Sequence, residues 1–153
     1  MSAEAVDLYP WVPAERYDLI VATLSQVPRD PFGLPRSHRP LDYWGRNLID
    51  HLIRLLPEAL AAGGTALVTQ LSVIGATQTI ENLERAGFAS RVVDYGFVGF
   101  GELEHESSEQ IERVEASSDA YHIKLGGRDM MVAYLIEITR EGAEGAVHVA
   151  GRA

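Results

Sequence analysis

Four short runs of apolar and β-branched residues are typical of β-strands in the interior of a sheet. They cover residues 17–22, 65–71, 90–100 and 130–139. The first two runs are apolar at consecutive positions, which indicates strands that are covered on both faces, as in a parallel sheet. Glycines at 96 and 99 interrupt the third run and predict bulges or bends there.

Between the first two runs the apolar spacing becomes that of an amphipathic helix. The helical pattern begins at Asp42, which is placed as an N-cap, and its leucines and isoleucines between 48 and 56 lie on one broad face. Pro57 predicts a break near Leu56, followed by a short helix to Ala62. The pair Gly63-Gly64 then supplies a left-handed helix stop.

Two further helices are predicted downstream. One is capped by Thr77 or Thr79, runs through Arg85 and is ended by Gly87. The other lies in the acidic segment 102–118, where Ser107 and Gln110 have the spacing of a capping box.

Strands that alternate with helices predict an α/β fold with a mostly parallel sheet. The last strand has no long amphipathic crossover helix before it, so it is the one that is free to pair antiparallel. We expect a single domain over residues 1–140 and a frayed tail over 141–153. Residues 27–40 contain four prolines and predict a long loop, of a length that is usually functional or mobile. The glycines at 126 and 127 predict a turn.

Composition narrows the class of partner. The net charge of -9, with 13 scattered basic residues, argues against nucleic acid and against an anionic membrane surface. The absence of cysteine excludes disulfides, thiolate nucleophiles and cysteine-ligated zinc. The amino terminus has no signal-peptide pattern, and no apolar run approaches the ~20 residues that span a bilayer. We therefore expect a cytoplasmic protein.

The order of several short motifs resembles that of class I, Rossmann-like methyltransferases that use S-adenosylmethionine. The closest likeness is to the small-domain enzymes that modify glutamine amides or adenine amino groups. The likeness covers roughly residues 6–100, and 130–139 fit the family's antiparallel last strand. The motifs that carry it are Val6-Asp-Leu-Tyr-Pro10, Tyr17-Asp-Leu-Ile-Val-Ala-Thr-Leu-Ser-Gln-Val-Pro28, Trp44-Gly-Arg-Asn-Leu-Ile49, Leu55-Leu-Pro-Glu-Ala-Leu60 and Gly63-Gly-Thr-Ala-Leu-Val68.

The chain corresponds to the carboxyl-terminal half of that family's domain. The resemblance implies that the strands at 17–22 and 65–71 are adjacent and parallel, with the last strand inserted antiparallel between its two predecessors. In the family, the first strand and its glycine-rich cofactor loop lie upstream of the position of Asp7, where this sequence has six residues. The glycines between 96 and 101 have the wrong spacing for that loop and favour a bent strand. We therefore expect weak S-adenosylmethionine binding, or none, by this chain alone.

The resemblance also implies site residues. Asp7 matches the acidic residue that accepts a hydrogen bond from the adenine amino group, and a solvated carboxylate is the alternative. Thr23, Ser25 and Gln26 occupy the place of the family's Asn-Pro-Pro-Tyr motif, after a strand's carboxyl end, and are the candidate catalytic residues. A polar exit from the strand is the alternative for each of them.

Three more side chains are candidates for substrate binding at the same end of the sheet. His38 lies in the proline-rich loop, where it is either a general base or a solvated residue. Tyr43 and Trp44 open the first helix and either hold a substrate ring or pack in the core. The histidines at 105 and 122 flank an acidic run that favours solvated charge over a metal site, so no metal is predicted.

Two hypotheses from different classes follow. The first is a methyltransferase whose activity requires the missing half, supplied by another chain. The second is a non-catalytic module that forms homo-oligomers or binds a partner, because a half-domain exposes an edge strand. A reductase-like nucleotide-binding domain is a third alternative and requires the same missing loop.

Overall fold

The structure, a computed structural model, describes residues 7–30, 42–101 and 107–140. These residues form an open mixed sheet with helices packed against it. The strands are β1 (Tyr17–Thr23), β2 (Leu60–Leu71), β3 (Phe88–Gly99), β4 (Ile123–Leu125) and β5 (Arg128–Arg140). The helices are α1 (Asn47–Ala59), α2 (Thr77–Arg85) and α3 (Ser108–Glu115), and a 3-10 turn (Ser72–Ile74) follows β2.

The strand order is β1-β2-β5-β3, and the short β4 pairs with β5. β1 and β2 are parallel, with Ile20 opposite Ala66. β5 lies between β2 and β3 and is antiparallel to both. The predicted adjacency of 17–22 and 65–71 and the antiparallel insertion of 130–139 are therefore confirmed, and the sheet is mixed rather than wholly parallel.

The core lies on one face of the sheet, beneath α1 and α2. Alternate residues of β2, Ala66 and Val68, are buried against the apolar face of α1, and Ile136 and Ile138 of β5 continue the same layer. Phe88, at the start of β3, is fully buried in this layer. This one-sided burial is the period-2 pattern of a sheet with one covered face.

The opposite face carries fewer buried side chains. Leu19 and Val21 of β1 are 58% and 68% exposed. Their register places them beside Thr65 and Leu67 of β2, which are partly exposed. The prediction that 17–22 is covered on both faces is therefore wrong for the described residues, because only the Ile20 and Ala22 side packs against the core.

Several helix boundaries differ from the sequence prediction. α1 begins at Asn47 rather than Asp42, because residues 42–46 form the turn that precedes it. No break occurs near Leu56: α1 continues through Pro57 to Ala59, and β2 starts at Leu60 instead of a short helix to Ala62. α2 spans Thr77–Arg85, in agreement with the predicted extent, and Gly87 follows it with a φ of 79°. The predicted cap is wrong, because the N-cap position is Ala76 and both threonines lie within the helix.

Three smaller predictions are corrected. The bulge in β3 lies between Val92 and Asp94, while Gly96 pairs regularly with Ala133. Ser107 makes no side-chain cap bond, so the capping box is not formed. The turn at 126–127 is confirmed, since both glycines have positive φ, and it joins β5 to the additional strand β4.

The segments 102–106 and 141–153 lie outside the described residues, as does most of the proline-rich loop. Within the described part of the chain, no helix is long and apolar enough to cross a membrane.

Candidate functional site

The parallel strands β1 and β2 end at the same edge of the sheet, which we call the carboxyl edge. The side chain of Gln26 crosses from one strand end to the other. Its Nε2 donates to the carbonyl of Thr69, and its Oε1 accepts from the amide of Leu71 at 2.8 Å. Gln26 is 1% exposed. Both ends of its amide are therefore used to hold the segment after β1 against β2.

Two hydroxyls at this edge face solvent. Thr23 is exposed, and its Oγ1 lies 3.4 Å from Oγ1 of Thr69 on β2. Ser25 is exposed two residues further on. Of the three candidate catalytic residues, Thr23 and Ser25 thus present accessible polar groups, whereas Gln26 is a bridge between strands.

The turn before α1 forms the second wall of the carboxyl edge. The carboxylate of Asp42 accepts the amide N–H of Gly45 at 2.9 Å and that of Asn47 at 2.8 Å. Gly45 has a φ of 70°, and a Cβ there would lie 2.7 Å from the backbone nitrogen of Pro28. Only glycine fits this contact without displacing backbone. The Asp42 cap and the Gly45 contact fix the start of α1 against the segment that follows β1.

Tyr43 and Trp44 form an edge-to-face aromatic pair on this turn, with ring centroids 4.9 Å apart. They are 38% and 44% exposed, so neither is a core residue. Gln110 of α3 donates to the carbonyl of Tyr43 at 2.9 Å. The pair is therefore an anchored, accessible aromatic surface. This agrees with the substrate-ring interpretation better than with core packing.

Asp7 belongs to a separate segment beside α1. Its Oδ1 accepts the amide of Tyr9 at 3.1 Å, and the carbonyl of Leu8 lies 3.1 Å from Nε2 of His51. The rings of Tyr9 and His51 are 5.1 Å apart. Asp7 itself is exposed. His38, the predicted general base, lies outside the described residues.

In Rossmann-like sheets, a nucleotide-type cofactor lies in a cradle at the start of a helix. Such a cradle requires glycines that let the backbone approach the methionine and ribose. Gly75, which precedes α2, has a φ of 72°, but a Cβ there would lie 2.3 Å from Oδ1 of Asp119. The glycine before this helix is therefore covered by a carboxylate.

That carboxylate caps α2. Asp119 Oδ2 accepts the amides of Ala76 and Thr77 and the hydroxyl of Thr77, each at 2.9 Å. Burial raises the pKa of Asp119, but the hydrogen bonds from Thr77 and Ala76 outweigh it and bring that pKa below its ordinary value.

A cavity of about 330 Å³ lies beside this cap, on the helix side of the sheet. Ile80, Val92 and Ile136 supply apolar wall, and Gln70, Tyr121 and Tyr134 supply polar groups. The hydroxyls of Tyr121 and Tyr134 are hydrogen-bonded to each other. That bond, followed by burial, raises the pKa of Tyr134 to about 12.

The cavity residues were not among the sequence candidates. Gln70 did carry a signal, because it occupies a core-facing position in the alternation Ala66, Val68, Gln70 of β2. A buried amide in an apolar strand requires partners, which marks a polar site. Tyr121 carried no such signal, since it lies in an irregular segment.

His122 is held by acidic neighbours without forming a metal site. Its Nδ1 lies 2.7 Å from Glu115 Oε1, and its Nε2 lies 3.7 Å from Asp129 Oδ1. Asp129 also binds Lys124 at 2.8 Å. No group of three or more potential metal ligands occurs in the described ranges.

Comparison of the chain with family models, with curated proteins and with solved structures gave no match.

Proposed function

We propose that this chain is the carboxyl-terminal half of a Rossmann-like, S-adenosylmethionine-dependent methyltransferase. The observation that carries the proposal is the strand order β1-β2-β5-β3, in which β5 lies between β2 and β3 and is antiparallel to both. The resemblance of residues 6–100 to class I methyltransferases implies that order. Common α/β sheets reach their last strand by a parallel crossover. The antiparallel insertion of β5 therefore supports the methyltransferase proposal over other α/β folds.

The carboxyl edge is the proposed acceptor side of the methyl-transfer site. Methyl transfer depends chiefly on holding the nucleophile in line with the sulfonium, so positioning groups suffice. The hydroxyls of Thr23 and Ser25 and the aromatic pair Tyr43–Trp44 are the accessible groups that would orient an acceptor there. Gln26 would act as a positioning residue, because its amide holds this edge together.

The cofactor-binding glycine loop is proposed to come from polypeptide beyond the described residues or from another chain. We therefore expect this chain alone to bind S-adenosylmethionine weakly. A cytoplasmic location is part of the same proposal, since a chain without cysteine needs no oxidising compartment.

The test is a titration of the ¹⁵N-labelled full chain with S-adenosylhomocysteine, followed by amide chemical shifts. We expect a dissociation constant on the order of 1 mM, or about -4 kcal/mol. The shift changes should centre on residues 7–9 and 23–26. Asp7→Asn should weaken binding severalfold, and Asp94→Asn, an exposed carboxylate on β3, serves as the matched control.

Two outcomes would contradict the proposal. A dissociation constant in the low micromolar range or tighter, about -8 kcal/mol, would mean that the cofactor site is complete elsewhere in this chain. Shift changes centred on residues remote from both 7–9 and 23–26 would have the same meaning. The reading frame upstream of Met1 is an independent test, since the proposal expects a strand and a Gly-x-Gly-x-Gly loop there or on a partner chain.

The second candidate function is a non-catalytic module that associates with itself or with a partner. The exposed Leu19 and Val21 on edge strand β1 favour it. An oligomer without measurable S-adenosylhomocysteine binding would support this alternative over the enzyme.

A further inference from the structure

The cavity between α2 and the β5 side of the sheet has the properties of a small-molecule site. Its volume of about 330 Å³ lies at the lower end of the range of ligand pockets, roughly 300–1,000 Å³. It is bounded by α2, by β3 and β5, and by the end of β2. It is not part of the carboxyl-edge site, and its function does not depend on the methyltransferase proposal.

One wall contains a hydrogen-bond acceptor without a partner. Gln70 is 1% exposed, and its Nε2 donates to the carbonyl of Gly75. Its Oε1 is buried and accepts no hydrogen bond from the described residues. An unsatisfied buried acceptor is destabilising, and a donor bound in the cavity would offset that cost.

The residue opposite Gln70 on the neighbouring strand carries a hydrogen-bond donor. Tyr134 is directly opposite Gln70 in the antiparallel register of β2 and β5, so the two side chains are neighbours on one face. The hydroxyls of Tyr134 and Tyr121 share one hydrogen bond. Two hydroxyls carry two hydrogens, so one hydrogen is available to a third acceptor.

The charged groups of the wall are already compensated. The Asp119 carboxylate binds the start of α2, and the Arg91 guanidinium binds Glu137 at 2.6 Å. The remaining wall is largely apolar, with Ile80, Val92 and Ile136. A charged ligand would lose its hydration here without gaining an opposite charge, so the site selects a neutral one.

We propose that this cavity binds a small, neutral, planar molecule that carries an N–H donor beside a carbonyl acceptor, as in an aromatic carboxamide or a ring lactam. The N–H pairs with Oε1 of Gln70, and the carbonyl accepts the free hydrogen of the tyrosine pair. The aromatic body lies against the aliphatic wall.

The probe is benzamide, and its matched control is acetophenone, in which a methyl group replaces the amide NH₂. Both are titrated into the ¹⁵N-labelled full chain. Benzamide is expected to bind at least about tenfold more tightly, because acetophenone leaves the buried Gln70 acceptor unpaired. The shift changes should centre on residues 70–72, 76–80, 119–121 and 134–136.

Variants separate the polar pairing from simple filling of an apolar space. Gln70→Met keeps the length of the side chain and removes its amide, and it should abolish the preference for benzamide. Because it also removes the bond to Gly75, Tyr134→Phe serves as a second variant and should weaken benzamide binding severalfold. Tyr17→Phe, on β1 and outside the cavity wall, should leave the affinity unchanged.

Equal affinity of the wild-type chain for the two compounds would overturn the proposal, since an apolar void alone would then account for binding. An absence of shift changes at about 10 mM benzamide would overturn the proposal as well, because binding would then be far weaker than the millimolar affinity of small fragments. So would a preference for benzamide that persists in Gln70→Met, or shift changes centred on Tyr43 and Trp44.

Discussion

At the scale of single residues, the buried Arg46 connects the start of α1 to the 3-10 turn and to α2. Its guanidinium donates to the carbonyls of Ile74 and Gly75, each at 3.0 Å, to Asp50 at 3.0 Å and to Thr79 at 2.9 Å. It is 4% exposed. One planar guanidinium therefore joins α1, the 3-10 turn and α2. The ammonium group of a lysine cannot make all of these bonds at once.

Arg46→Lys should accordingly lower the free energy of unfolding by about 2 kcal/mol, because buried carbonyls lose their donors. Urea unfolding at neutral pH measures this. Arg54→Lys, on an exposed arginine of the same helix, is the control and should change stability by less than about 0.5 kcal/mol. Equal effects of the two substitutions would mean that the bonds of Arg46 contribute nothing net.

Asp119 gives a prediction with a pH dependence. Its folded-state pKa is lowered, so the stabilisation is fully present above the ordinary pKa of 3.8 and is lost as the pH falls through the lowered value. Asp119→Asn should cost about 0.5–1 kcal/mol at pH 7, at the lower end of N-cap values because the side chain is exposed. Glu84→Gln on α2 is the control.

Urea unfolding of both variants, repeated at several pH values down to about 3, tests this link between charge and capping. The deficit of Asp119→Asn relative to wild type should shrink as the wild-type carboxylate becomes protonated. A deficit of constant size across this range would show that the cap does not act through its charge.

Sequence patterns locate polar side chains of this kind better than they assign them roles. Gln26 was identified as a candidate catalytic residue from its place after β1, and the structure uses both ends of its amide to bind β2. Gln70 was placed inside a buried strand, but its opposition to Tyr134 depends on β5, which is about 60 residues away in the chain. Long-range register of this kind is not present in local patterns.

At the scale of elements, the carboxyl end of α1 shows why a local rule failed. Pro57 lies in the last turn of α1, where its missing N–H costs the single bond to the carbonyl of Ile53 and the helix continues for only two more residues. Arg140 of β5 donates to the carbonyls of Pro57 at 2.8 Å and Leu60 at 2.9 Å. Its guanidinium also lies 5.2 Å from the centre of the Phe88 ring. Tertiary contacts therefore stabilise a turn that the sequence predicted to break.

Arg140→Met should lower the free energy of unfolding by about 1–2 kcal/mol, since it removes the helix cap and the cation–π contact but keeps an apolar side chain. Thermal and urea unfolding measure the loss. Arg128→Met, at the exposed opposite end of β5, is the matched control and should be nearly neutral. If Arg140→Met leaves the free energy of unfolding unchanged, α1 ends at Ala59 without stabilisation from β5.

Other elements were predictable to different degrees. The four longer strands β1, β2, β3 and β5 and the helix α2 follow from apolar runs and from glycine and threonine signals, which are local properties. The capping box predicted at Ser107 is not formed. The side chain of Gln110 instead donates to the carbonyl of Tyr43 and accepts from Arg113 at 3.2 Å. β4 is three residues long and too short to give a periodic pattern.

At the scale of the whole molecule, the position of β1 determines what the sheet exposes. The strand order came from the resemblance to a family, since composition and periodicity do not specify which strands are neighbours. β1 lies at one end of that order, and among the described residues its second edge has no strand beside it. The chain therefore presents an unpaired backbone edge together with the apolar side chains of Leu19 and Val21.

These features predict that the chain associates through β1, with a second copy or with the proposed missing half. Light scattering at several concentrations should give a dimer or a higher oligomer. Val21→Lys places a charge on the 68%-exposed position and should shift the mass toward the monomer. Val93→Lys, at an exposed position of the opposite edge strand β3, should leave the oligomer intact. A wild-type chain that is monomeric at every concentration would show that β1 is not an associating edge. Dissociation by Val93→Lys rather than Val21→Lys would show the same. In either case, the half-domain interpretation loses its main structural consequence.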